Sequence, residues 1–353
     1  MEYKKQDQKG CGRLFGRLMD PYQLKRLTLS IVCSVYSKDG KTLITDAEGT
    51  LERLREQFAD LAAEQHAITE ASESINRLVA KLRTGATWVT DSEIACPGKF
   101  VGVQALNADI TFGEVAKLFG SMNWWKSVGH DAVRGSILSI MSTSNDFVER
   151  TSELFTAILR SRDIPAMWRI VILTVLYKGK GGKQDASNTR GIALMSILAK
   201  AYEKILVDRI IIFLEKNGQF DQNTNGSRKA RSAIDNAMLV MMAAEAVLLD
   251  GGRLIGAFLD ERKCYPTAFR DGIMHSLHKA GVKGDVWHAM DAMQEGLQCR
   301  VRAKQQLSQV FELLHGILEG ACSSPPKYSI FAEELARRLR KENLGLTLTM
   351  VDG

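Results

Sequence analysis

Arg253-Leu254-Ile255-Gly256-Ala257-Phe258-Leu259-Asp260-Glu261-Arg262-Lys263-Cys264-Tyr265-Pro266-Thr267-Ala268-Phe269-Arg270 is the stretch that decides how this chain is read. Leu254, Ile255, Ala257, Phe258 and Leu259 form a short apolar run bounded by Gly252 and by charge, which is the pattern of a buried strand. Asp260 stands where that strand ends, so its carboxylate leaves the core to face a cleft. An aspartate there is also an ordinary turn former or helix cap. The segments on either side have to choose between the two readings.

Upstream, Ile164-Pro165-Ala166-Met167-Trp168 turns the chain into RIVILTVLY, residues 169–177, a run β-branched enough for a buried strand. It ends in the glycine-rich basic loop Lys178-Gly179-Lys180-Gly181-Gly182-Lys183. The loop lacks the spacing and the Lys-Ser/Thr end of a Walker loop, yet flexible backbone carrying three ammonium groups can close over phosphates. Asn188-Thr189-Arg190-Gly191-Ile192 comes next, then a helical pattern through Leu194, Leu198, Tyr202, Leu206 and Ile210. A second basic loop, Gln219 to Ser232, leads into a helix from Ala233 to Leu249. Earlier still, Thr45 to Glu48 and Thr111 to Glu114 read as capping boxes opening amphipathic helices, and further helices cover Ile75–Leu82 and Asn145–Arg160. After the central run come helices at Asp271–Lys279 and Asp285–Glu295. Strands are expected at Gln298–Ala303 and Ser308–Leu313, then a basic helix at Tyr328–Lys341 and a last strand in LGLTLTMVDG.

The chain has 353 residues, 45% hydrophobic and 25% charged, enough for two or three packed subdomains. No apolar run reaches bilayer-spanning length, and the polar, basic start has no secretory apolar core. Cys11, Cys33, Cys96, Cys264, Cys299 and Cys322 form no CxxC pair, which fits reduced intracellular thiols, with nucleus and cytoplasm both open. His275, His278 and His288 lack a cysteine or carboxylate to complete a metal site. The net charge is +6. Ser161 to Arg231 holds 13 Lys/Arg against 6 Asp/Glu, so this stretch carries +7 and the remainder −1. Such a concentration fits either a solvated face or a phosphate-rich partner.

From about Leu43 onward the order of these pieces resembles the reverse transcriptase domain of non-LTR (LINE-type) retrotransposons. Lys126, Gly129 and Asp131 match its Lys-Ala-x-Gly-x-Asp-Gly segment. IPAMWRIVILTVLYKGKGG is similar to its Ile-Pro-x-x-Trp, strand, Lys-x-Lys-Gly pattern. Asn188, Arg190, Ile192 and Leu194, with Lys200 and Glu203, match its Asn-Tyr-Arg-Pro-Ile-x-Leu signature, and Gln222, Gly226, Arg228, Arg231 and Ser232 its arginine-rich loop. Asp260, Lys263 and Tyr265 match the central motif. Gly316, Gly320, Cys322, Ser324 and Pro325 align with its Gly-x-Arg-Gln-Gly-Cys-x-x-Ser-Pro loop.

The resemblance implies an α+β right-hand polymerase, mostly helical, with fingers, a small antiparallel palm sheet and no thumb. It divides the chain into a basic lead (1–42), a helical lead-in (43–125), a fingers-like region (126–250) and an incomplete palm (251–353). It implies RNA-directed DNA polymerase chemistry, in which two Mg²⁺ ions activate a primer 3′-hydroxyl for attack on a deoxynucleoside triphosphate paired to an RNA template. Asp260 would be the catalytic metal ligand, with the Glu261 backbone beside it. Tyr265 would sit under the sugar, and Lys178, Arg190 and Gly320 at the triphosphate. Lys180, Lys183, Arg228 and Arg231 would contact nucleic acid. Membrane contact is not implied.

Several positions depart from the pattern. Pro266 replaces an aspartate, Ser227 a phenylalanine and Leu318-Glu319 an Arg-Gln pair, while His130 and Ala132 alter the early loop. The paired aspartates of the Ala-Asp-Asp motif are missing: the sequence contains no Asp-Asp. Either the sequence stops on the strand before that motif, or Val351-Asp352 is a degenerate version of it. The expectation is a truncated or decaying domain, inactive as this chain. Its rivals are a nucleic-acid-binding remnant and a fragment without a stable fold.

Overall fold

The computed structural model describes residues 32–342 apart from 33, 64–68, 85–99, 123–126, 223, 262 and 304–305. The readings that rest on Lys126, Asp352 and the last strand lie outside them. The described residues form an α+β fold divided into two compact units, one of those within 32–60, 172–192 and 299–311 and one of those within 61–171, 193–298 and 312–342.

The first unit is built on strands. β1 (Val35–Tyr36) pairs antiparallel with β2 (Leu43–Ile44). Helix α1 (Ala47–Ala63) starts beside Asp46, whose carboxylate accepts from the Gly49 N–H at 2.6 Å. The cap thus comes from Asp46, one residue beyond the Thr45 that the sequence pattern marks. β3 (Ile170–Tyr177) takes up the β-branched run, and β4 (Thr189–Leu194) comes after the basic loop. With β5 (Gln298–Ala303), β6 (Gln306–Leu307) and β7 (Phe311–Glu312) they form a five-stranded sheet in the order β4-β3-β5-β6, β7 pairing with β5. The expected strand from Ser308 to Leu313 is therefore broken. Ser308 donates its N–H to the Val301 carbonyl, and its hydroxyl accepts from the Val301 N–H, both at 2.9 Å, tying off the short hairpin.

The second unit is helical: α2 (Glu70–Arg83), α3 (Val103–Leu106), α4 (Phe112–Gly120), α5 (Gly135–Met141), α6 (Asn145–Ser161), α7 (Ile197–Lys216), α8 (Ala233–Leu249), α9 (Arg270–Lys279), α10 (Asp285–Ala292) and α11 (Ser324–Lys341). Thr111 and Glu114 form the expected capping box of α4. α7 runs through the core. Its Tyr202 meets Phe155 and Trp168, the tryptophan of the Ile-Pro-x-x-Trp motif, at centroid distances of 5.4 and 5.6 Å. Asp131, from another matched motif, accepts from the Ile197 N–H at 3.1 Å and so satisfies a first-turn donor of α7. α2 is bound by Arg83, whose guanidinium reaches Asp271 and Asp291, each at 2.7 Å.

The central run departs from expectation. Residues 251–261 are exposed and belong to no strand, with Ile255 and Phe258 each 93% exposed. A strand is stable only as one of a pair, because its N–H and C=O groups need a ladder partner. Among the described strands none pairs with this run, so its apolar composition does not bury it. The five-stranded sheet that forms carries β3 to β7 and does not include Asp260.

Arg270 determines the path of the chain after β7. Its Nε donates to the Gly316 carbonyl at 2.6 Å, Nη1 to Gln294 at 3.0 Å and Nη2 to Leu313 at 2.8 Å. Lysine offers a point charge in place of this fork. We expect Arg270→Lys to lower unfolding stability by roughly 2–4 kcal/mol, because part-buried carbonyls lose their donors. Urea unfolding checks this, and a loss below about 0.5 kcal/mol would contradict it.

Candidate nucleotide and nucleic-acid site

The expected site residues fall on both units. In the first, β3 and β4 flank the loop Lys178–Lys183, and the Lys178 N–H donates to the Asn188 carbonyl at 2.9 Å. Gly179 and Gly181 hold φ of 77° and 73°, the left-handed region that favours glycine. A Cβ on Gly181 would lie 2.4 Å from the Asn188 amide, which itself donates to the Gly182 carbonyl at 3.1 Å. The Tyr177 hydroxyl donates to the Gly181 carbonyl at 2.5 Å. The motif residue Asn188 therefore shapes the glycine loop from inside. Lys178, Lys180 and Arg190 are exposed and Lys183 is half-buried, so ammonium and guanidinium groups stand around a backbone built to turn tightly. The Lys178 ammonium also donates to the Ser187 carbonyl at 3.3 Å.

In the second unit, Asp260 and Glu261 are exposed, and the Glu261 carboxylate accepts from the Tyr328 hydroxyl. Lys263 to Thr267 form a turn, with Lys263 at φ 55° and the Thr267 N–H donating to the Lys263 carbonyl at 3.1 Å. Tyr265 is half-buried, edge-on to Tyr328 at 5.6 Å, and burial pushes its hydroxyl pKa up. The Tyr265 carbonyl accepts from the Ile317 N–H at 2.8 Å. Gly316 (φ 74°) packs so closely that a Cβ would sit 2.1 Å from the Pro266 carbonyl oxygen. The central turn and the Gly316–Pro325 loop, far apart in sequence, are thus one surface, with Gly320 exposed on it at φ 103°.

Sequence reasoning matched Glu203 to a motif without giving it a role. Glu203 is 3% exposed on α7. Its carboxylate accepts from the Cys322 N–H at 3.2 Å, the Cys322 thiol at 3.0 Å and the Ser323 hydroxyl at 2.5 Å. Lys327, on the first turns of α11, is also buried, lines a cavity of about 20 Å³ with Glu203, Arg270 and Gln294, and donates to the Met290 carbonyl at 3.3 Å. A carboxylate inside a long apolar helix was the available signal for Glu203. Nothing in the basic pattern of α11 separates the buried Lys327 from its exposed neighbours.

Arg228, expected to contact nucleic acid, is held by contacts within the chain. Its guanidinium grips both Glu215 oxygens at 2.8 and 2.7 Å, donates to the Asp221 and Thr224 carbonyls and lies over the Phe220 ring. The side chain is 10% exposed, and Glu215 raises its pKa. Arg231 is exposed just before α8.

The described residues do not assemble the expected metal site. Among them no group of three His, Cys, Asp or Glu side chains is placed to hold a metal ion. Mg²⁺ needs several oxygen ligands in near-octahedral geometry, and Asp260 supplies one carboxylate from an exposed segment. His278 and His288 stand edge-on to the buried Trp287 at 6.0 and 5.0 Å, as packing partners. No helix among the described residues is long and apolar enough to cross a membrane.

The first unit thus presents a basic glycine-rich hairpin, and the second a turn at Lys263–Thr267 packed on a glycine loop. Residues 180–351 match the family described as reverse transcriptase (RNA-dependent DNA polymerase). This chain is 19% identical over 222 residues to a probable RNA-directed DNA polymerase from transposon X-element of Drosophila melanogaster, covering 63% of this chain and 24% of that protein. It is likewise 19% identical over 222 residues to the probable RNA-directed DNA polymerase from transposon BS, and 17% identical over 226 residues to the RNA-directed DNA polymerase from mobile element jockey, both also of Drosophila melanogaster. Residues 180–351 thus match the reverse transcriptase family, and the relatives are named as RNA-directed DNA polymerases of Drosophila transposable elements. The chain spans about a quarter of the length of these relatives.

Burial drives the Lys327 ammonium from 10.5 down to about 8. Below pH 8 the folded protein carries this buried charge at a penalty. Between pH 8 and 10.5 the folded state has released a proton that the unfolded chain still holds, so stability rises with pH. Cys322 works in the opposite direction above its unfolded pKa of 9.0, because burial and Glu203 push its thiol up. We therefore expect the stability difference between wild type and Lys327→Met to shift toward wild type by roughly 1–2 kcal/mol from about pH 7 to pH 9. Chemical denaturation of both proteins across that range measures it, and a pH-independent difference would contradict the buried charge.

Proposed function

We propose that this reverse transcriptase domain holds nucleic acid and nucleoside triphosphate phosphates through its basic hairpin, and that the chain by itself does not catalyse nucleotidyl transfer. The single observation behind this is the position of Asp260, one carboxylate on an exposed, unpaired segment. The two-metal polymerase reaction of the family needs carboxylates from adjacent strand ends, and this sequence offers no Asp-Asp pair to join it. An RNA template, a DNA primer and deoxynucleoside triphosphates are the corresponding partners, and retained binding without chemistry is the reading that the basic residues favour. Lys180 and Lys183 neutralise backbone phosphates as point charges, and Arg190 suits a triphosphate oxygen pair.

Primer extension on an RNA template with Mg²⁺ and four deoxynucleotides tests the catalytic half. We expect wild type and Asp260→Ala to be equally inactive. Extension that disappears only in Asp260→Ala would overturn the proposal and require a second carboxylate from elsewhere in the chain.

Filter binding to a primer–template duplex against salt tests the other half. We expect affinity to fall steeply with salt and to survive Asp260→Ala. Lys180→Ala with Lys183→Ala should reduce the log–log salt slope by about 1–2. An unchanged slope would remove the hairpin from the interface.

A further inference from the structure

The Met290 carbonyl, near the end of α10, accepts from two side chains: the Lys327 ammonium at 3.3 Å and the Gln294 amide Nε2 at 3.1 Å. Both side chains belong to buried residues, Lys327 at 4% and Gln294 at 8% exposed. Two bonds use up the lone pairs of that carbonyl. The ammonium still has N–H groups to place, and Gln294 Oε1 is buried without a donor among the described residues. Turning the amide over does not help, because an oxygen would then face the Met290 oxygen.

Glu203 completes the set. A carboxylate has about four acceptor positions, and the Cys322 N–H, the Cys322 thiol and the Ser323 hydroxyl fill three of them. Lys327, Gln294 and Glu203 all line the cavity of about 20 Å³. One donor and two acceptor positions, each costly to leave unmade in a buried place, therefore border the same small space.

Size and charge narrow what that space can take. Room on the order of 10–15 Å³ is enough for one water, and the cavity is too small for an organic ligand. Lys327 and Arg270 on its wall repel a cation, and Glu203 repels an anion. A neutral group of the size of water, with one acceptor and two donors to offer, matches the wall.

We propose that this cavity is the site of one structural water, which accepts from the Lys327 ammonium and donates to Gln294 Oε1 and to the Glu203 carboxylate. Three hydrogen bonds are the usual number for a buried water. This water joins α7, the turn after α10 and the first turns of α11 to Gly316, Ile317, Leu318 and Ala321, which form more of the same wall. The Ile317 N–H in turn holds the Tyr265 carbonyl, so the water helps to fix the surface beside Tyr265. The site is independent of the nucleotide-site reading, since it uses neither the basic hairpin nor Asp260.

Deuteron magnetic relaxation dispersion on the whole chain tests it, because it counts waters that exchange more slowly than the protein tumbles. Gln294→Leu keeps much of the side-chain bulk and removes Oε1. The variant, its fold checked by circular dichroism, is expected to hold one long-lived water fewer than wild type. An equal count would overturn the proposal. If Gln294→Leu does not fold, a crystal structure of the wild-type chain decides. A single water peak within hydrogen-bond distance of Lys327 Nζ and Gln294 Oε1 is the expected result. Ordered side chains with no water peak between them, or a direct bond from Lys327 Nζ to Gln294 Oε1, would overturn it as well.

Discussion

The second unit depends on how one buried and one half-buried charge are met. Glu203 sits inside the longest helix, and Arg270 opens the helix after the central turn. A buried carboxylate or guanidinium is costly unless hydrogen bonds replace its water. Here the replacement comes from backbone and side chains of the loop from Leu313 to Ser324: donors for Glu203, carbonyls for Arg270. Each charge is satisfied only if the loop takes one path. That path brings Gly316 and Ile317 against Tyr265 and Pro266, so the candidate nucleotide surface is a consequence of settling these charges.

The same accounting explains why the matched motifs are so largely architecture. Asp131 caps α7, Asn188 braces the glycine loop from within, Trp168 fills the core beside Tyr202, and Arg228 fastens a polar loop to Glu215. A side chain that holds a loop in place and one that touches a ligand leave the same trace in a sequence. Arg228 has the look of a phosphate contact because it lies in a basic stretch. The carboxylate that it grips with two bonds is invisible there, being 13 residues away and fixed only by the fold.

The run from Arg253 to Asp260 marks the limit of pattern reading from the other direction. Its composition and its boundaries are those of a strand, but a strand's stability is held jointly with a neighbour. Without a described partner its apolar side chains remain in water, as do those of α8 before it. These two consecutive elements carry the largest conflict between composition and burial among the described residues.

The sequence alone determined the features that local rules dictate: helix spacing, the Thr111 capping box, the β-branched β3, the basic glycine loop, and the order of motifs that resembles a reverse transcriptase. Helical periodicity and turn chemistry act over a few residues, so they can be read without a fold. Tertiary structure decided the features that depend on long-range partners. It placed Arg228 on Glu215, buried Lys327 among exposed basic neighbours, joined Tyr265 to Gly316, and left Asp260 on an unpaired segment. Burial and hydrogen bonding belong to pairs of residues distant in the chain, and no local pattern names the second member of such a pair.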